Sequence, residues 1–368
     1  MTVAFTWLSG LCVPVTPTAM QAGMSTPLVR PPKPERSRSR VQTKDSPTTL
    51  QKWRLGLRLT TPSCKKALVT ETATKTTNNL HADLPRSSNR MTASGESRKE
   101  TAGVKLEVTS TRTKTRIGFC NVRTMYETGK LAQVTAEMRR YNLHVLGVTE
   151  SRWIGTGRLK TVSGETVLYS GRDDELHCEG VAIILKKGAD RSLLEWKPIN
   201  SRLIKARLKG RQNNLTLIQC YAPTNDSEDH LKDSFYLRLQ AEIEHVPMQD
   251  LIIIMGDLNA KVGADNSGSD RVMGRHGSGI INENGEGLVE FCTTNNLVIG
   301  GTLFLHREIH KSHKITWCSS NGRHRNQIDH LMINGKWRWS SLRDIKVRRG
   351  ADIGSDHHLV TACLKIEI

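Results

Sequence analysis

A series of short apolar runs from residue 117 onwards constrains the fold more than any other feature of this sequence. The runs are IGFC (117–120), VLGV (145–148), VAIIL (181–185), LTLIQC (215–220), LIIIM (251–255), LVIG (297–300), IDHLMI (328–333) and LVTACLKI (359–366). Several have apolar residues at both odd and even positions, which is typical of strands that are covered on both faces. We therefore predict a sheet-rich domain whose strands are buried between other layers.

Amphipathic stretches separate some of these runs. The residues at helical spacing are Leu131, Val134, Met138 and Tyr141 in KLAQVTAEMRRY, and Leu231, Phe235, Leu239 and Ile243 in HLKDSFYLRLQAEIEHV. Each set lies on one face of a helix. A third, shorter helix is expected over residues 287–296. Many strands with a few interspersed helices favour a two-sheet α/β sandwich over a doubly wound sheet, although periodicity alone leaves both open.

Residues 1–114 have a different composition, rich in Ser, Thr, Pro, Lys and Arg. They hold 19 Lys and Arg but 7 Asp and Glu, so +12 of the net charge of +18 lies here. Such a segment buries too little apolar surface to offset the entropy lost on ordering. We predict a disordered basic extension over 1–114 and a folded domain over 115–368. The cluster at Arg36, Arg38 and Arg40 is either a nuclear address, a nucleic-acid tether or a solvated tail without a specific role.

Charge, cysteines and hydropathy restrict the compartment and the partners. A net charge of +18 favours an anionic partner such as nucleic acid. The eight cysteines form no C-x-x-C pair, and several lie in apolar runs, so we expect buried free thiols in a reducing compartment. No run approaches the roughly 18 apolar residues that span a bilayer, and the first 29 residues lack the Lys or Arg of a signal peptide. We expect a nuclear or cytoplasmic protein that is not secreted, has no membrane partner and is monomeric.

Polar side chains collect at the ends of the apolar runs. They are Asn121, Glu150, Tyr221, Asp257, Asn259, Asp329, Asp356 and His357. Carboxylates at the ends of buried strands are costly unless they are paired or bind a cation. Acids, an amide and a histidine gathered together would form an oxygen-rich site, which suits Mg²⁺ or Mn²⁺ better than Zn²⁺.

Taken singly, these residues also have structural interpretations. The pattern G-D-x-N should arise by chance in very roughly one chain of this length in fifteen. Asp257 alone is equally well explained as a turn former after a strand. Tyr221 alone is typical of a core aromatic residue, and His357 alone of a structural histidine. Only the ordered set favours a functional site.

Seven motifs resemble, in order and spacing, the exonuclease/endonuclease/phosphatase family, which includes deoxyribonuclease I and the apurinic/apyrimidinic endonucleases. They are NVRTM (121–125), TESRW (149–153), YAPT (221–224), GDLNAKVG (256–263), TW (316–317), RNQIDHLMI (325–333) and SDHHLV (355–360). Within the family, the sequence is similar to RTE/BovB-type non-LTR retrotransposon endonuclease domains and to craniofacial development protein 2-like proteins. The resemblance implies a four-layer α/β sandwich of two packed mixed β-sheets flanked by helices.

The resemblance also implies a role for each polar residue at a strand end. Glu150 matches the metal-binding carboxylate of the family, supported by Asn121 and Asp356. The metal expected from the family is Mg²⁺, with Mn²⁺ as the alternative.

Five further residues match the catalytic positions of the family. Asp257 matches the acid that orients or deprotonates the attacking water. Asn259 and Tyr221 match groups that position the phosphate. Asp329 matches the acid that holds an imidazole, and His357 matches that imidazole, which stabilises charge at phosphorus.

The function implied is a divalent-metal-dependent phosphodiesterase, specifically a DNA-nicking endonuclease derived from a non-LTR retrotransposon. One alternative is an inositol-phosphate-type or sphingomyelin phosphodiesterase of the same fold. The inositol-phosphatase branch usually has aromatic and Arg residues after G-D-x-N, whereas residues 260–263 read AKVG. The other alternative is a catalytically silent nucleic-acid-binding or interaction protein, although every catalytic position is intact.

Two basic clusters lie near the motifs. His306, His310 and His313 in HREIHKSH are interpreted as a basic surface loop rather than as a metal site. Arg323 and Arg325 in NGRHRNQ are expected to contact backbone phosphate.

Overall fold

The computed structural model describes residues 114–305 and 314–368. The predicted extension, apart from Lys114, and the three histidines of HREIHKSH lie outside these ranges. The strands are β1 Thr115–Asn121, β2 Val145–Thr149, β3 Thr156–Lys160, β4 Thr166–Ser170, β5 Val181–Leu185, β6 Leu193–Asn200, β7 Leu203–Leu208, β8 Leu215–Tyr221, β9 Leu251–Asp257, β10 Leu297–Ile299, β11 Trp317–Cys318, β12 Arg325–Asn326, β13 Asp329–Asn334, β14 Leu342–Arg348 and β15 Leu359–Leu364. The helices are α1 Lys130–Arg140, α2 Asp229–Glu244, α3 Glu283–Thr294 and the single turn α4 Arg338–Ser341.

The strands form two mixed sheets and a small hairpin. The seven-stranded sheet has the order β14-β15-β1-β2-β5-β4-β3, and the six-stranded sheet has the order β10-β13-β9-β8-β7-β6. Within these sheets, β1 runs parallel to β2 and β8 runs parallel to β9. Parallel neighbours end at the same edge of a sheet, so the residues that follow these strands are brought together in pairs.

The two sheets pack face to face over an apolar core. Ile117, Phe119 and Ile183 from the seven-stranded sheet share this core with Leu217 and Ile253 from the six-stranded sheet, all fully buried. Burial of such side chains contributes about 1.5–3 kcal/mol each. The inner faces of both sheets are therefore covered, as the apolar runs predict.

Helices cover the outer faces of the sheets. Val134 and Met138 of α1 pack on the outer face of the seven-stranded sheet. Phe235 and Leu239 of α2 and Leu288 of α3 pack on the outer face of the six-stranded sheet. The predicted four-layer sandwich is confirmed.

Some details differ from the sequence predictions. The third helix begins at Glu283 rather than near Gly287, because the Asn282 side chain caps it by accepting a hydrogen bond from the Gly285 backbone N–H at 3.0 Å. Leu231, predicted on the buried face of α2, is 47% exposed.

The apolar runs do not predict the strands β3, β4, β6, β7, β11, β12 and β14. Of these, β3 and β6 bury none of their residues completely, so they lack an apolar run.

The cysteines of the described ranges differ in burial. Cys120, Cys220 and Cys292 are buried free thiols, whereas Cys178 is an exposed free thiol. Within residues 114–305 and 314–368, no helix is both long enough and apolar enough to cross a membrane.

Candidate active site

The polar strand-end residues converge at one edge of the sandwich because of strand register. Tyr221 and Asp257 are partners at the ends of the parallel strands β8 and β9. Asp257 is also the antiparallel partner of Asp329, at the start of β13. Asn121 ends β1, which contacts β9 across the inter-sheet core. The register therefore places groups from both sheets at the same edge.

Asn121 connects the two sheets at this edge. Its amide nitrogen donates to Glu150 Oε1 at 2.7 Å and to Asp257 Oδ2 at 3.0 Å. Its amide oxygen accepts from the Arg123 backbone N–H at 2.9 Å. The Tyr221 hydroxyl donates to the same Glu150 oxygen at 3.0 Å. Because both donors meet Glu150 Oε1, the orientation of this carboxylate is fixed.

His357 lies between two buried carboxylates. Its Nδ1 is 2.9 Å from Asp329 Oδ2, and its Nε2 is 3.8 Å from Asp257 Oδ2. Burial lowers the pKa of His357, but the negative charges of Asp329 and Asp257 outweigh it and raise the pKa to about 9. The imidazole is therefore protonated at neutral pH. The predicted Asp329–His357 pair is present as a direct contact.

Asp257 has an unusual environment for a carboxyl group. Burial raises its pKa, the charge of Asp329 raises it further, and the pKa reaches about 7. Its Oδ1 accepts from the Asn259 backbone N–H at 3.0 Å, and Asn259 Nδ2 donates to the Ala222 carbonyl at 3.0 Å. A carboxylate that titrates near neutral pH is suited to accept and release a proton.

Asp356 lies at the rim of the cluster. Its Oδ2 accepts from Trp317 Nε1 at 3.0 Å and is 3.8 Å from Arg123 Nη1. The Ser355 hydroxyl donates to the Asn121 carbonyl at 2.7 Å. Asp356 is thus held beside the cluster by its neighbour Ser355 and by Trp317, and its role as a metal ligand remains a prediction.

The backbone is strained where these side chains are presented. Eight non-glycine residues in the described ranges have positive φ, and four belong to this region: Arg123 (60°), Glu150 (53°), Arg152 (55°) and Asn259 (49°). Such conformations cost about 1–3 kcal/mol each and persist where surrounding contacts fix them. Their concentration at one edge supports a functional role for that edge.

Comparison with known proteins agrees with this geometry. The sequence profile of the Endonuclease/Exonuclease/phosphatase family matches residues 118–357. The chain belongs to this family. It is 38% identical over 276 residues to craniofacial development protein 2 of Bos taurus and 39% identical over 254 residues to that of Tragulus javanicus. These alignments cover 74% and 68% of the chain but 45% and 42% of the two relatives, so the chain spans less than half of their length.

A solved structure shows the same fold. The catalytic domain of Xenopus laevis APE2 matches with a TM-score of 0.53 at 16% identity, over 69% of this chain and 92% of that domain. At this identity the likeness concerns the fold alone. The sequence comparisons confirm the predicted family and the predicted similarity to craniofacial development protein 2-like proteins. The similarity to retrotransposon endonuclease domains stays a prediction.

Two arginines, Arg152 and Arg202, lie close to the site, although the sequence did not predict them as site residues. Arg152 Nη2 is 3.5 Å from Glu150 Oε2. The Arg202 guanidinium lies 5.0 Å from the centre of the Tyr221 ring, and its Nη1 donates to the Tyr221 carbonyl at 3.3 Å. Arg152 lies inside the TESRW motif, which was a usable signal. Arg202 lies in the turn between β6 and β7, and nothing in the local sequence distinguishes it.

Two places at the site offer ligand atoms for a cation: a group of three residues and Glu150. Ligand atoms of Asp257, Asp329 and His357 lie within 4.8 Å of one another. However, Asp329 Oδ2 and Nδ1 of His357 already contact each other at 2.9 Å, so this pair is satisfied without a cation. Glu150 fits better, because its side chain is 19% exposed and its Oε2 accepts neither the Asn121 nor the Tyr221 hydrogen bond, although Arg152 Nη2 lies 3.5 Å from it. Oxygen ligands of this kind suit a hard divalent cation.

Proposed function

We propose that this domain is a Mg²⁺-dependent endonuclease that nicks DNA, with Mn²⁺ as an alternative metal. One observation carries the proposal: a continuous set of contacts joins Glu150, Asn121, Asp257, His357 and Asp329 at one edge of the sandwich. Phosphodiester hydrolysis needs an activated water, charge neutralisation and in-line positioning. The five residues together offer groups for each of these needs.

Asp257 is proposed as the group that accepts a proton from the attacking water. Hydrogen bonds from Asn121 Nδ2 and the Asn259 backbone N–H orient its two oxygens. Its pKa of about 7 lies near the working pH, where a general base is most efficient. General bases of this kind typically accelerate a reaction by about 10²–10⁴-fold.

His357 is proposed to stabilise the negative charge that develops on the phosphoryl oxygens. It is cationic because Asp329 and Asp257 raise its pKa to about 9. Asp329 also fixes the ring orientation through the 2.9 Å contact to Nδ1, which leaves Nε2 free to donate. A pre-oriented cation in a site that excludes water is worth more than the same charge in solution.

Glu150 is proposed to hold the divalent cation, with Asn121 and Tyr221 fixing the orientation of its carboxylate. When bound, the cation supplies charge neutralisation at the scissile phosphate. Tyr221 and Asn259 are proposed to position the phosphate. Asp356 is proposed as an additional metal-binding oxygen at the rim.

DNA is proposed as the substrate because exposed basic side chains flank the site. The Arg123 side chain is 58% exposed, and Arg152 is partly exposed beside Glu150. Arg325 in β12 and Arg323 just before it are also exposed. Arginines at such positions bind backbone phosphates and fix the register of the nucleic acid. We also propose a non-LTR retrotransposon origin, a monomeric state and a nuclear or cytoplasmic location, as the sequence analysis indicates.

A supercoiled-plasmid nicking assay tests the proposal. The full chain should convert supercoiled plasmid to the nicked form with Mg²⁺ and not with EDTA. Glu150→Gln and Asp257→Asn should each reduce nicking by at least about 10²-fold. Asp229→Asn is the matched control, because its carboxylate is 80% exposed in the first turn of α2, on the outer layer. Nicking by both site variants at the control rate would contradict the proposal.

The same preparations separate the alternatives. A catalytically silent nucleic-acid-binding protein would bind DNA but nick it no faster than Glu150→Gln. An inositol-phosphate-type phosphatase would release phosphate from an inositol phosphate and leave plasmid intact. Either result would replace the nuclease assignment.

A further inference from the structure

A pair of exposed aromatic rings lies beside the proposed active site and has no part in the chemistry described above. Tyr126, in the loop between β1 and α1, is 65% exposed. Its ring centre is 4.3 Å from that of His177, in the loop between β4 and β5, with the ring planes at 48°. His177 is also exposed. Two loops from different parts of the chain therefore present adjacent ring surfaces to solvent.

The His177 ring and the backbone next to Tyr126 both contact the loop that carries Glu150. The backbone N–H of Met125 donates to the Ser151 carbonyl at 2.9 Å, and the Met125 carbonyl accepts from Trp153 Nε1 at 3.1 Å. His177 Nδ1 lies 2.9 Å from the Arg152 carbonyl. Because Met125 is itself buried, Tyr126 projects from a fixed position rather than from a free loop.

These contacts also limit the distance from the rings to the catalytic centre. Tyr126 and Glu150 are each one residue away from the Met125–Ser151 hydrogen bond. Each Cα step spans about 3.8 Å and hydrogen-bonded neighbours lie about 5.5 Å apart, so the two Cα atoms are at most roughly 13 Å apart. A short stretch of one DNA strand can span this distance, so the rings and Glu150 can contact the same strand.

Positive charge accompanies the rings. Arg152 contacts Glu150 on one side, and its carbonyl contacts His177 on the other. Arg123, two residues after Asn121, has a side chain that is 58% exposed. Aromatic rings interleaved with cationic side chains are the combination that binds unpaired nucleotides, since the rings stack on bases and the cations contact phosphates.

We propose that Tyr126 and His177 form a stacking subsite for an unpaired nucleobase next to the scissile phosphate. This inference rests on the proposed nuclease function and specifies its substrate class: DNA with a bulged or single-stranded nucleotide near the nick. In a continuous duplex, every base face is already covered by its neighbours. The rings then have no free base to contact, so they discriminate between the two forms of DNA.

The test is binding to labelled DNA hairpins that differ by one bulged 2-aminopurine, whose fluorescence falls when it stacks. The background is Glu150→Gln with EDTA present, so that binding is measured without cleavage. The full chain should bind the bulged hairpin more tightly than the paired one and quench 2-aminopurine. Tyr126→Ala should weaken binding to the bulged hairpin by roughly 5- to 100-fold and remove the quenching. Its binding to the paired hairpin should change by less than about twofold.

Two further variants sharpen the result. Tyr126→Phe keeps the ring and should bind the bulged hairpin as the parent does. Trp339→Ala is the matched control, because Trp339 is 67% exposed but lies in α4, which follows the end of β13 opposite to Asp329. It should leave both affinities unchanged.

Each outcome has a definite meaning. Equal losses on bulged and paired hairpins, or no loss with Tyr126→Ala, would overturn the stacking subsite. The proposed nuclease function would remain supported in that case if the wild-type chain nicks plasmid. If the wild-type chain neither binds nor nicks DNA, the proposed function and the subsite both fail. Thermal unfolding of Tyr126→Ala should match that of the parent, since an exposed ring contributes little to the core.

Discussion

Asp257 is the direct register partner of Asp329 across the antiparallel strands β9 and β13. Carboxylate oxygens of these two buried residues lie within 4.8 Å of each other, so their negative charges repel. The charge of Asp329 is one reason why the pKa of Asp257 rises to about 7. The His357 imidazole contacts both and carries a positive charge at neutral pH. The three groups therefore act as one electrostatic unit, in which changing one member alters the protonation of the others.

The first prediction concerns non-additivity within this unit. If Asp329 acts only through His357, the double variant Asp329→Ala/His357→Ala should nick hardly more slowly than His357→Ala alone. Asp329→Ala alone should cost less, because His357 keeps part of its orientation and its charge from Asp257. Single-turnover nicking rates measure all three variants. Fully multiplicative losses would instead assign Asp329 a separate structural or metal-binding role.

The second prediction concerns the pKa of His357. Asp329→Asn removes the largest of the charges that raise this pKa, so the pKa-lowering effect of burial gains weight and the pKa should fall below about 9. NMR titration of the imidazole in the metal-free protein measures the shift. The alkaline limb of the nicking rate should move to lower pH by a similar amount. Asp229→Asn should leave both unchanged, and an unshifted imidazole titration would contradict the prediction.

The raised pKa of His357 should also make the free energy of unfolding depend on pH. The folded-state pKa of about 9 lies above the ordinary value of about 6.5. The stabilising contribution of His357 should therefore be fully present below pH about 6.5 and be lost as the pH rises through about 9. Urea unfolding of wild type and His357→Ala across this range should show the difference between them shrinking towards alkaline pH. A difference that does not change with pH would contradict this assignment.

The third prediction concerns the contact between the sheets at Gly147. A Cβ atom at this position would lie 1.8 Å from Gln219 Oε1 and 3.0 Å from Met255 Cε. Gly147→Ala should therefore reduce the free energy of unfolding by about 1–3 kcal/mol, as overpacking does. Adding Gln219→Ala should recover part of the loss, because it removes the clashing amide. Urea unfolding of the single and double variants measures the coupling.

Gly287 provides the matched control for that experiment. It lies within α3, and the nearest atom to an added Cβ would be Tyr236 Cε2 at 3.8 Å. Gly287→Ala should leave stability unchanged or raise it by up to about 1 kcal/mol, since alanine favours helix. Equal effects of Gly147→Ala and Gly287→Ala would show that the inter-sheet contact is not the cause.

The fourth prediction concerns the basic extension over 1–114, which carries +12 of the net charge. Its removal should leave a folded 115–368 fragment that nicks DNA and binds it with a shallower salt dependence, because fewer counterions are released. Fluorescence anisotropy between 50 and 200 mM salt, roughly the range over which such slopes are measured, gives both slopes. A chain with the extension's Lys and Arg changed to Gln should match the fragment. An unfolded or inactive fragment would show that the domain boundary is wrong.

The buried strands and most of the site were predictable from the sequence because apolar runs and strand-end polar groups are local signals. The run LIIIM followed by Asp257 is such a signal, and it corresponds to β9. By contrast, β7 reads LIKARL, and after two buried residues it alternates half-buried with buried ones. It carries Lys and Arg at positions that the fold covers only partly, and these residues interrupt the apolar run that would have predicted a strand.

Contacts made across the fold were not predictable. Arg202 reaches Tyr221 only because β7 and β8 are neighbours, and Asn121 reaches Asp257 only because the two sheets pack face to face. The ring pair of Tyr126 and His177 joins loops separated by about fifty residues. No periodicity marks such pairs, because they depend on tertiary structure rather than on local sequence.

The groups proposed as catalytic are divided between the two sheets. Asn121, Glu150 and His357 are attached to strands of the seven-stranded sheet, whereas Tyr221, Asp257 and Asp329 belong to the six-stranded sheet. Neither half of the sandwich contains a complete reaction centre. The proposed hydrolytic activity should therefore emerge only when both halves have docked, so that a partly assembled chain would be unable to damage nucleic acid.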